Sequence, residues 1–441
     1  MKKRILLTAL LLAAALLLGG CAMRTVEEMY AIPKRSEEYN NLQSAIDSAM
    51  YGLTYSAPVS GENQQSVQMA DLDGDGVDEY LVFAQGTSIK PLQILIFRQE
   101  EDGSCRLMEV IESNGSAFEQ VEYVNMDDTP GYELVVGRRV SDQILRSLSV
   151  YSFADGSAEL MMMVGYSKFL TCDLDENGLS ELMVILPGDI NGGKSAAVLY
   201  SIQGENIERS VEVEMSEDPS HIKRMMVGSI HGGTPAVFVA SLVDENAIMT
   251  DVFALKDGRF TNITDYSESD TSVQTLRNYY VYPDDIDDDG ILELPSLITM
   301  KKVSLSSDDQ QKFLIRWFAM DLEGREVDKL YTFHNYVGGW YLELDSTWAA
   351  RVSVEQNGST YTFYVWDESY REASALFSVI ALTGANREED ATVDGRFALL
   401  RAEGVVYAAR LERNAAMYDI TEEQIINSFR VIQQDWKTGE T

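Results

Sequence analysis

Carboxylates recur in this chain at a spacing that suits a hard cation. In Asp71-Leu72-Asp73-Gly74-Asp75-Gly76-Val77-Asp78-Glu79, oxygen-bearing side chains fall at the first, third, fifth and ninth positions, with glycine at the sixth. A chain that turns sharply about one point aims alternate side chains inward, and calcium takes six to eight oxygens. Asp71, Asp73, Asp75 and Glu79 would supply carboxylates and Val77 its carbonyl, with Gly76 permitting the turn. The pattern returns as Asp173, Asp175, Asn177, Leu179 and Glu181 around Gly178. It returns again as Asp285, Asp287, Asp289, Ile291 and Glu293 around Gly290. A worn copy holds Asn125, Asp127, Thr129 and Glu133, with Pro130 where the glycine should be. An acidic Asp/Gly loop on its own can be a solvated turn. Three with the same ninth-position glutamate point to structural calcium, weaker at the loop where Asn177 replaces a carboxylate.

The flanks of these loops are β-like: Ser66–Ala70 and Tyr80–Gly86 read as short strands, which excludes an EF-hand between helices. First loop positions fall at 71, 125, 173 and 285, steps of 54, 48 and 112, the last close to two steps. The skipped unit is expected at 229–240, where strand residues remain and the carboxylates are gone. Each loop is followed by a strand pair closed on a tight turn: Asp102-Gly103, Asp155-Gly156, Gly204-Glu205, Asp257-Gly258 and Glu323-Gly324. Gly103 lies 27 residues beyond Gly76 and Gly204 lies 26 beyond Gly178, so loop and hairpin keep one phase. Strand, acidic loop, strand, connection, hairpin makes four antiparallel strands per unit, which is a propeller blade.

These loops and their phase resemble FG-GAP/VCBS repeats, the calcium-loop blades of integrin-α-type β-propellers. The resemblance implies a mainly β fold, a propeller of six or seven four-stranded blades over residues 60–371, with calcium as a structural element. It names no ligand, because propellers host many functions. An N-terminal amphipathic helix is expected within 26–53, with Leu42, Ala45, Ile46, Ala49, Met50 and Leu53 on one face. Residues 372–441 are expected as a small α+β segment. It would contain a hairpin at Glu403-Gly404 and a helix opened by the capping box Thr421–Gln424, with Ile425, Phe429, Ile432 and Trp436 on one face.

Lys2, Lys3 and Arg4 precede an apolar run from Ile5 to Leu18, as in a signal peptide over residues 1–20. The run is short for a membrane span. It ends in Leu18-Gly19-Gly20-Cys21, which resembles a bacterial lipobox and implies a diacylglyceryl group on Cys21. The protein is therefore expected outside the cytoplasm, anchored to the membrane by lipid, with residues 21–59 as tether and helix. The formal charge of −36 disfavours nucleic acid and anionic headgroups as partners. Cys105 and Cys172 lie in different repeats and make no disulfide framework.

Gly188–Ser195 matches a phosphate-binding loop pattern, but such a loop needs a helix at its end, and Ala196–Ile202 is β-like. No nucleotide is expected. The three histidines, His221, His231 and His334, have no metal-binding or catalytic spacing. Aromatics at Tyr279–Tyr282, Trp340-Tyr341 and Tyr361–Trp366 read as blade core. Two function classes follow. One is a lipid-anchored binding or scaffolding module for a glycan or protein ligand of the cell envelope. The other is an extracytoplasmic hydrolase with an acidic site on the propeller face, and the lack of a visible nucleophile and base favours the first.

Overall fold

The computed structural model describes residues 37–140, 146–153, 157–188, 195–204, 206–244, 247–264, 275–277, 280–303, 311–344, 346–349, 351–367 and 372–432. The lipobox with Cys21, the Asp155-Gly156 turn, most of the phosphate-loop lookalike and Trp436 lie outside them. The fold is mainly β and propeller-like, with six successive antiparallel sheets of four or five strands. By its contacts the chain forms two compact units. The first comprises Met1–Pro58, Gln65–Ala70 and Val77–Asn114; the second comprises Val59–Gln64, Asp71–Gly76 and Gly115–Thr441.

The first unit holds helix α1 (Glu37–Ala49) and one sheet. Its strands are β1 (Thr54–Tyr55), β2 (Val67–Ala70), β3 (Glu79–Gln85), β4 (Leu92–Gln99) and β5 (Cys105–Ser113), with β1 and β2 both on β3. Leu42, Ala45, Ile46 and Ala49 sit at helical spacing and pack on Val82, Leu95 and Phe97, so the expected apolar face is the one used. The Asn41 side chain also donates to the carbonyl of Gly103 at the β4–β5 turn (2.8 Å).

The second unit carries the other five sheets. Blade 2 is β6 (Ala117–Val124), β7 (Glu133–Arg139), β8 (Arg146–Ser152) and β9 (Glu159–Gly165). Blade 3 is β10 (Lys168–Cys172), β11 (Glu181–Leu186), β12 (Ala196–Gln203) and β13 (Asn206–Arg209), with β14 (Val213–Glu214) also on β12. Blade 4 is β15 (Ile222–Ser229), β16 (Pro235–Leu242), β17 (Ile248–Lys256) and β18 (Arg259–Asn262). Blade 5 is β19 (Leu294–Thr299), β20 (Phe313–Met320), β21 (Glu326–Asn335) and β22 (Trp340–Leu344). In the last sheet β23 (Val352–Asn357), β24 (Thr360–Asp367) and β25 (Glu372–Thr383) continue into β27 (Val405–Leu411), with β26 (Arg396–Ala402) at the edge.

Second strands such as β7, β11 and β16 are buried almost end to end, while fourth strands such as β9 are largely open. A strand covered on both faces needs a continuous apolar run, which ELMVIL and PAVFVASL supply. Between blades 2 and 3 lie Val135, Val150, Phe169 and Val184. Blades 3 and 4 share Met183, Leu199, Val237 and Phe253. Phe238, Val252, Leu294 and Phe318 join blades 4 and 5, and Phe333, Trp340, Phe363 and Phe377 join blade 5 to the last sheet. The aromatic clusters are thus core, as expected: Tyr282, Trp340 and Phe363 are fully buried.

Two boundaries differ from the sequence expectation. β25 begins at Glu372, where an α+β segment was expected to start, and pairs along its length with β24. The sheet therefore runs across that position. Helix α2 (Glu422–Ser428) has the expected capping box, with Thr421 and Gln424 each bonded to the other's backbone N–H. It stops at Ser428, however, and Phe429–Val431 forms β28 on the edge of β22. The free ladder of β22 and the burial of Phe429 against Trp340 and Tyr407 outcompete two further helical turns. The skipped repeat lies where the spacing put it, as the β15–β16 connection Ile230–Thr234.

Candidate metal centres

The loops at 71–79, 125–133 and 173–181 join β2 to β3, β6 to β7 and β10 to β11, and the loop at 285–293 leads into β19 from the bridge between Asp284 and Glu293; in each the chain reverses and backbone groups lose their ladder partners. The loops satisfy those groups from their own side chains. The sixth-position glycine N–H donates to the first-position aspartate in all three full loops: Gly76 to Asp71 (2.9 Å), Gly178 to Asp173 (3.0 Å) and Gly290 to Asp285 (2.9 Å). These glycines have φ of 87, 86 and 85°, a region closed to most side chains, which is why the sixth position is fixed. The fifth-position N–H donates to the third position in Asp75→Asp73 (3.3 Å) and Asn177→Asp175 (3.2 Å). The seventh-position N–H of Leu179 and Ile291 donates back to Asn177 and Asp289.

The ninth-position glutamate has a role that sequence alone did not reveal. Glu133, Glu181 and Glu293 each accept the N–H of the loop's second residue: Met126 (2.8 Å), Leu174 (2.7 Å) and Ile286 (3.1 Å). The glutamate thereby staples the loop shut across its neck. This explains why Glu133 persists in the worn loop, where Asp127 only closes a turn onto the Thr129 N–H (2.7 Å). Burial, reinforced by neighbouring aspartates, pushes Glu133, Glu181 and Glu293 up to about 7. A cation beside them would reverse that shift.

The loops also latch to their neighbours in the second unit. The eighth-position N–H of Ser180 donates to the carbonyl of Asn125 in the preceding blade (2.8 Å), and that of Leu292 to Ser229 (2.9 Å). Gly74 lies so close to the worn loop that a Cβ there would be 1.8 Å from the Pro130 carbonyl.

Carboxylate oxygens of Asp173, Asp175 and Glu181 lie within 4.8 Å of one another, as do those of Asp285, Asp287 and Asp289. Oxygens sharing one calcium at 2.3–2.6 Å are at most about 5 Å apart, so both groups fit a common ion. The donors are all oxygen, which selects a hard cation. In the remaining full loop, Asp71, Asp73 and Asp75 lie on the turn in the second unit, and one oxygen of Asp71 is buried without a hydrogen-bond partner. Val77 and Glu79 belong to the first unit, where Glu79 is buried and accepts from Arg98 Nε (3.0 Å) and from its terminal nitrogen (2.9 Å).

The three loops differ in what neutralises them. Arg98 meets Glu79. Lys329 on β21 reaches Asp289, with Asp287 at 3.6 Å and Glu293 at 3.7 Å. Among the described residues, no basic side chain is paired with Asp173, Asp175 or Glu181.

Other candidates for chemistry resolve as structure. His334 is half-buried in β21, stacked on Tyr341 at 4.9 Å, and desolvation pushes it down to about 3, leaving it neutral. His221 faces Glu217 (3.4 Å). Cys105 and Cys172 are free thiols, and burial raises both. Strand β12 follows Ser195, so no helix begins at the phosphate-loop lookalike. No helix among the described residues is long and apolar enough to cross a membrane. A cavity of about 500 Å³ adjoins the 285–293 loop and is lined by Asp284, Asp287, Asp288, Tyr341, Glu343 and Arg430. Burial raises Glu343, whose partner Arg430 lies at 3.1 Å.

Six successive antiparallel sheets, three of them with full acidic loops, define a β-propeller-class protein with candidate cation loops. No family model and no curated protein matches the chain. Among solved structures, it is similar to a protein from Lactobacillus plantarum at 12% identity, over 72% of this chain and 85% of that one, with a TM-score of 0.27. It is similar to the rhamnogalacturonan lyase YesW at 11% identity, over 77% and 81%, with a TM-score of 0.30. A Bacillus licheniformis rhamnogalacturonan lyase is matched at 11% identity, over 79% and 85%, with a TM-score of 0.29. At these scores none of them bears on the activity of this chain.

Proposed function

We propose that this protein is a calcium-stabilised β-propeller of the bacterial cell envelope, anchored by lipid on Cys21, that acts as a binding or scaffolding module for a glycan or protein ligand. The observation that carries the metal reading is the loop at 173–181. There three carboxylates converge within 4.8 Å with no basic partner among the described residues. Calcium at such a loop holds the eighth residue, whose N–H ties one blade to the next, so metal and inter-blade packing are coupled. The histidines offer no support for catalysis, since His334 is neutral and bonded to Thr332 (2.9 Å). The deciding experiment is a binding screen of the purified chain against glycans and peptidoglycan fragments, in 2 mM calcium and in chelator. Calcium-dependent retention without product release supports the module.

An extracytoplasmic hydrolase is the second reading, favoured by one observation: the acidic cavity with the half-buried Glu343 in its wall. Fragments shortened in the same screen, and spared by Glu343→Gln, would replace the module with that enzyme.

A further inference from the structure

The loop at 285–293 already has a cation. Lys329 directs its ammonium into the loop, in contact with Asp289 and 3.6 and 3.7 Å from Asp287 and Glu293. Its side chain is only 18% exposed and Glu293 is fully buried, so this is not a solvated surface pair.

The reach of Lys329 is built into the sheet. Along β20 and β21, Trp317 pairs with Leu330 and Phe318 with Asp328, which leaves Lys329 as the extra residue of a β-bulge. A bulge re-aims the side chain it releases. The same bulge recurs at the same place in two other blades. In each, the residue after the ninth-position glutamate pairs with an aromatic on the next strand: Tyr80 with Phe97, Leu134 with Tyr151, Leu294 with Phe318. Opposite that aromatic, the released residue is Met108 in blade 1 and Met161 in blade 2, between the pairs Phe97–Leu107 and Ile96–Glu109, and Tyr151–Leu160 and Val150–Met162. In blade 3, Tyr200 pairs with Arg209 without a bulge, and the next residue is Ser210. A position that is methionine, methionine or serine in those blades is lysine beside the 285–293 loop.

We propose that Lys329 is the resident cation of the 285–293 loop, occupying the place that calcium takes in the sister loops and excluding it there. The inference rests on the reading of those loops as calcium sites. An ammonium among three carboxylates supplies positive charge and N–H donors from within the chain, so this blade keeps its loop closed without metal. Calcium entering the loop must first expel the lysine arm, and its affinity falls accordingly. The protein then has calcium-dependent and calcium-independent blades side by side.

The test is calcium-45 equilibrium dialysis on the full chain, for wild type, Lys329→Met, Asp287→Asn and Asp173→Asn. Methionine is chosen because the corresponding bulges carry it, so the strand pairing is retained; Lys329→Gln serves as a second variant. Wild type is expected to bind one ion fewer per chain than Lys329→Met and Lys329→Gln below millimolar calcium. Asp287→Asn should leave the wild-type count unchanged, and Asp173→Asn should lower it by one. In chelator the melting point of Lys329→Met should fall, and calcium should restore it, which a packing role alone does not produce. If the lysine variants bind no more calcium than wild type while Asp173→Asn loses an ion, the loops are calcium sites and the inference about Lys329 is wrong. If neither wild type nor the lysine variants bind calcium, the calcium reading fails and takes this inference with it.

Discussion

Removing one carboxylate from the uncompensated loop should move stability in opposite directions with and without metal. Asp173, Asp175 and Glu181 bring oxygens within 4.8 Å of one another. At that distance, with an effective dielectric between about 20 and 80, each like-charged pair costs about 1–3 kcal/mol. Partial protonation of Glu181 near neutral pH reduces this. An extracellular-type site with Kd of about 0.1–1 mM gains RT ln(1 + [L]/Kd), or about 0.6–1.8 kcal/mol in 2 mM calcium. For a body of this size that is roughly 1–4 °C in melting temperature per site. Asp175→Ala removes two of the three repulsions and the metal together. Its midpoint in chelator should therefore rise to or above that of wild type, while its calcium shift shrinks by the share of this site. Magnesium should shift either protein less, since it gives up its water reluctantly. The measurement is thermal unfolding by circular dichroism in chelator, 2 mM magnesium and 2 mM calcium. A wild type with equal midpoints in all three, or an Asp175→Ala protein keeping the full calcium shift, would refute the reasoning.

Asp127→Ala, in the worn loop, should leave the calcium shift unchanged within error in the same assay, because Asp127 serves a turn onto Thr129. The buried glutamates set a pH dependence: with Glu133 raised to about 7 in the fold, the native state holds a proton that the unfolded chain releases near 4.5. On this account each such glutamate makes metal-free stability fall as pH rises from about 4.5 to 7, by at most about 3 kcal/mol, and Glu133→Gln should remove its share of that slope, leaving those of Glu181 and Glu293, in unfolding curves at pH 5 and 8. Calcium needs the ionised carboxylates, so the calcium shift of wild type should be larger at pH 8 than at pH 5. Cys21→Ser should abolish fatty-acid labelling in growing cells, and persistent label would remove the lipid anchor from the proposal.

Much of this was open to inspection in the sequence because it is local. A glycine with φ near +86°, an aspartate five residues before it and a carboxylate three after it are contacts within one turn, and residue type and spacing determine them. The same holds for the positive-φ pair Asp257-Gly258, for the capping box at Thr421 and for the period that located the skipped repeat at Ile230–Thr234. Other features depended on partners distant in the chain. Phe429–Val431 carries an apolar pattern compatible with a helix and becomes a strand because the edge of β22 is there to receive it. The sheet passes Glu372 unbroken because β24 offers a ladder that no local composition announces. Arg98 and Lys329 belong to no motif in the sequence. Pairing across strands brings Arg98 to Glu79, 19 positions away, and a bulge turns Lys329 onto Asp289, 40 positions away. Which loop's carboxylates meet a basic side chain was decided there, since charge compensation depends on distance in space and not on distance along the chain.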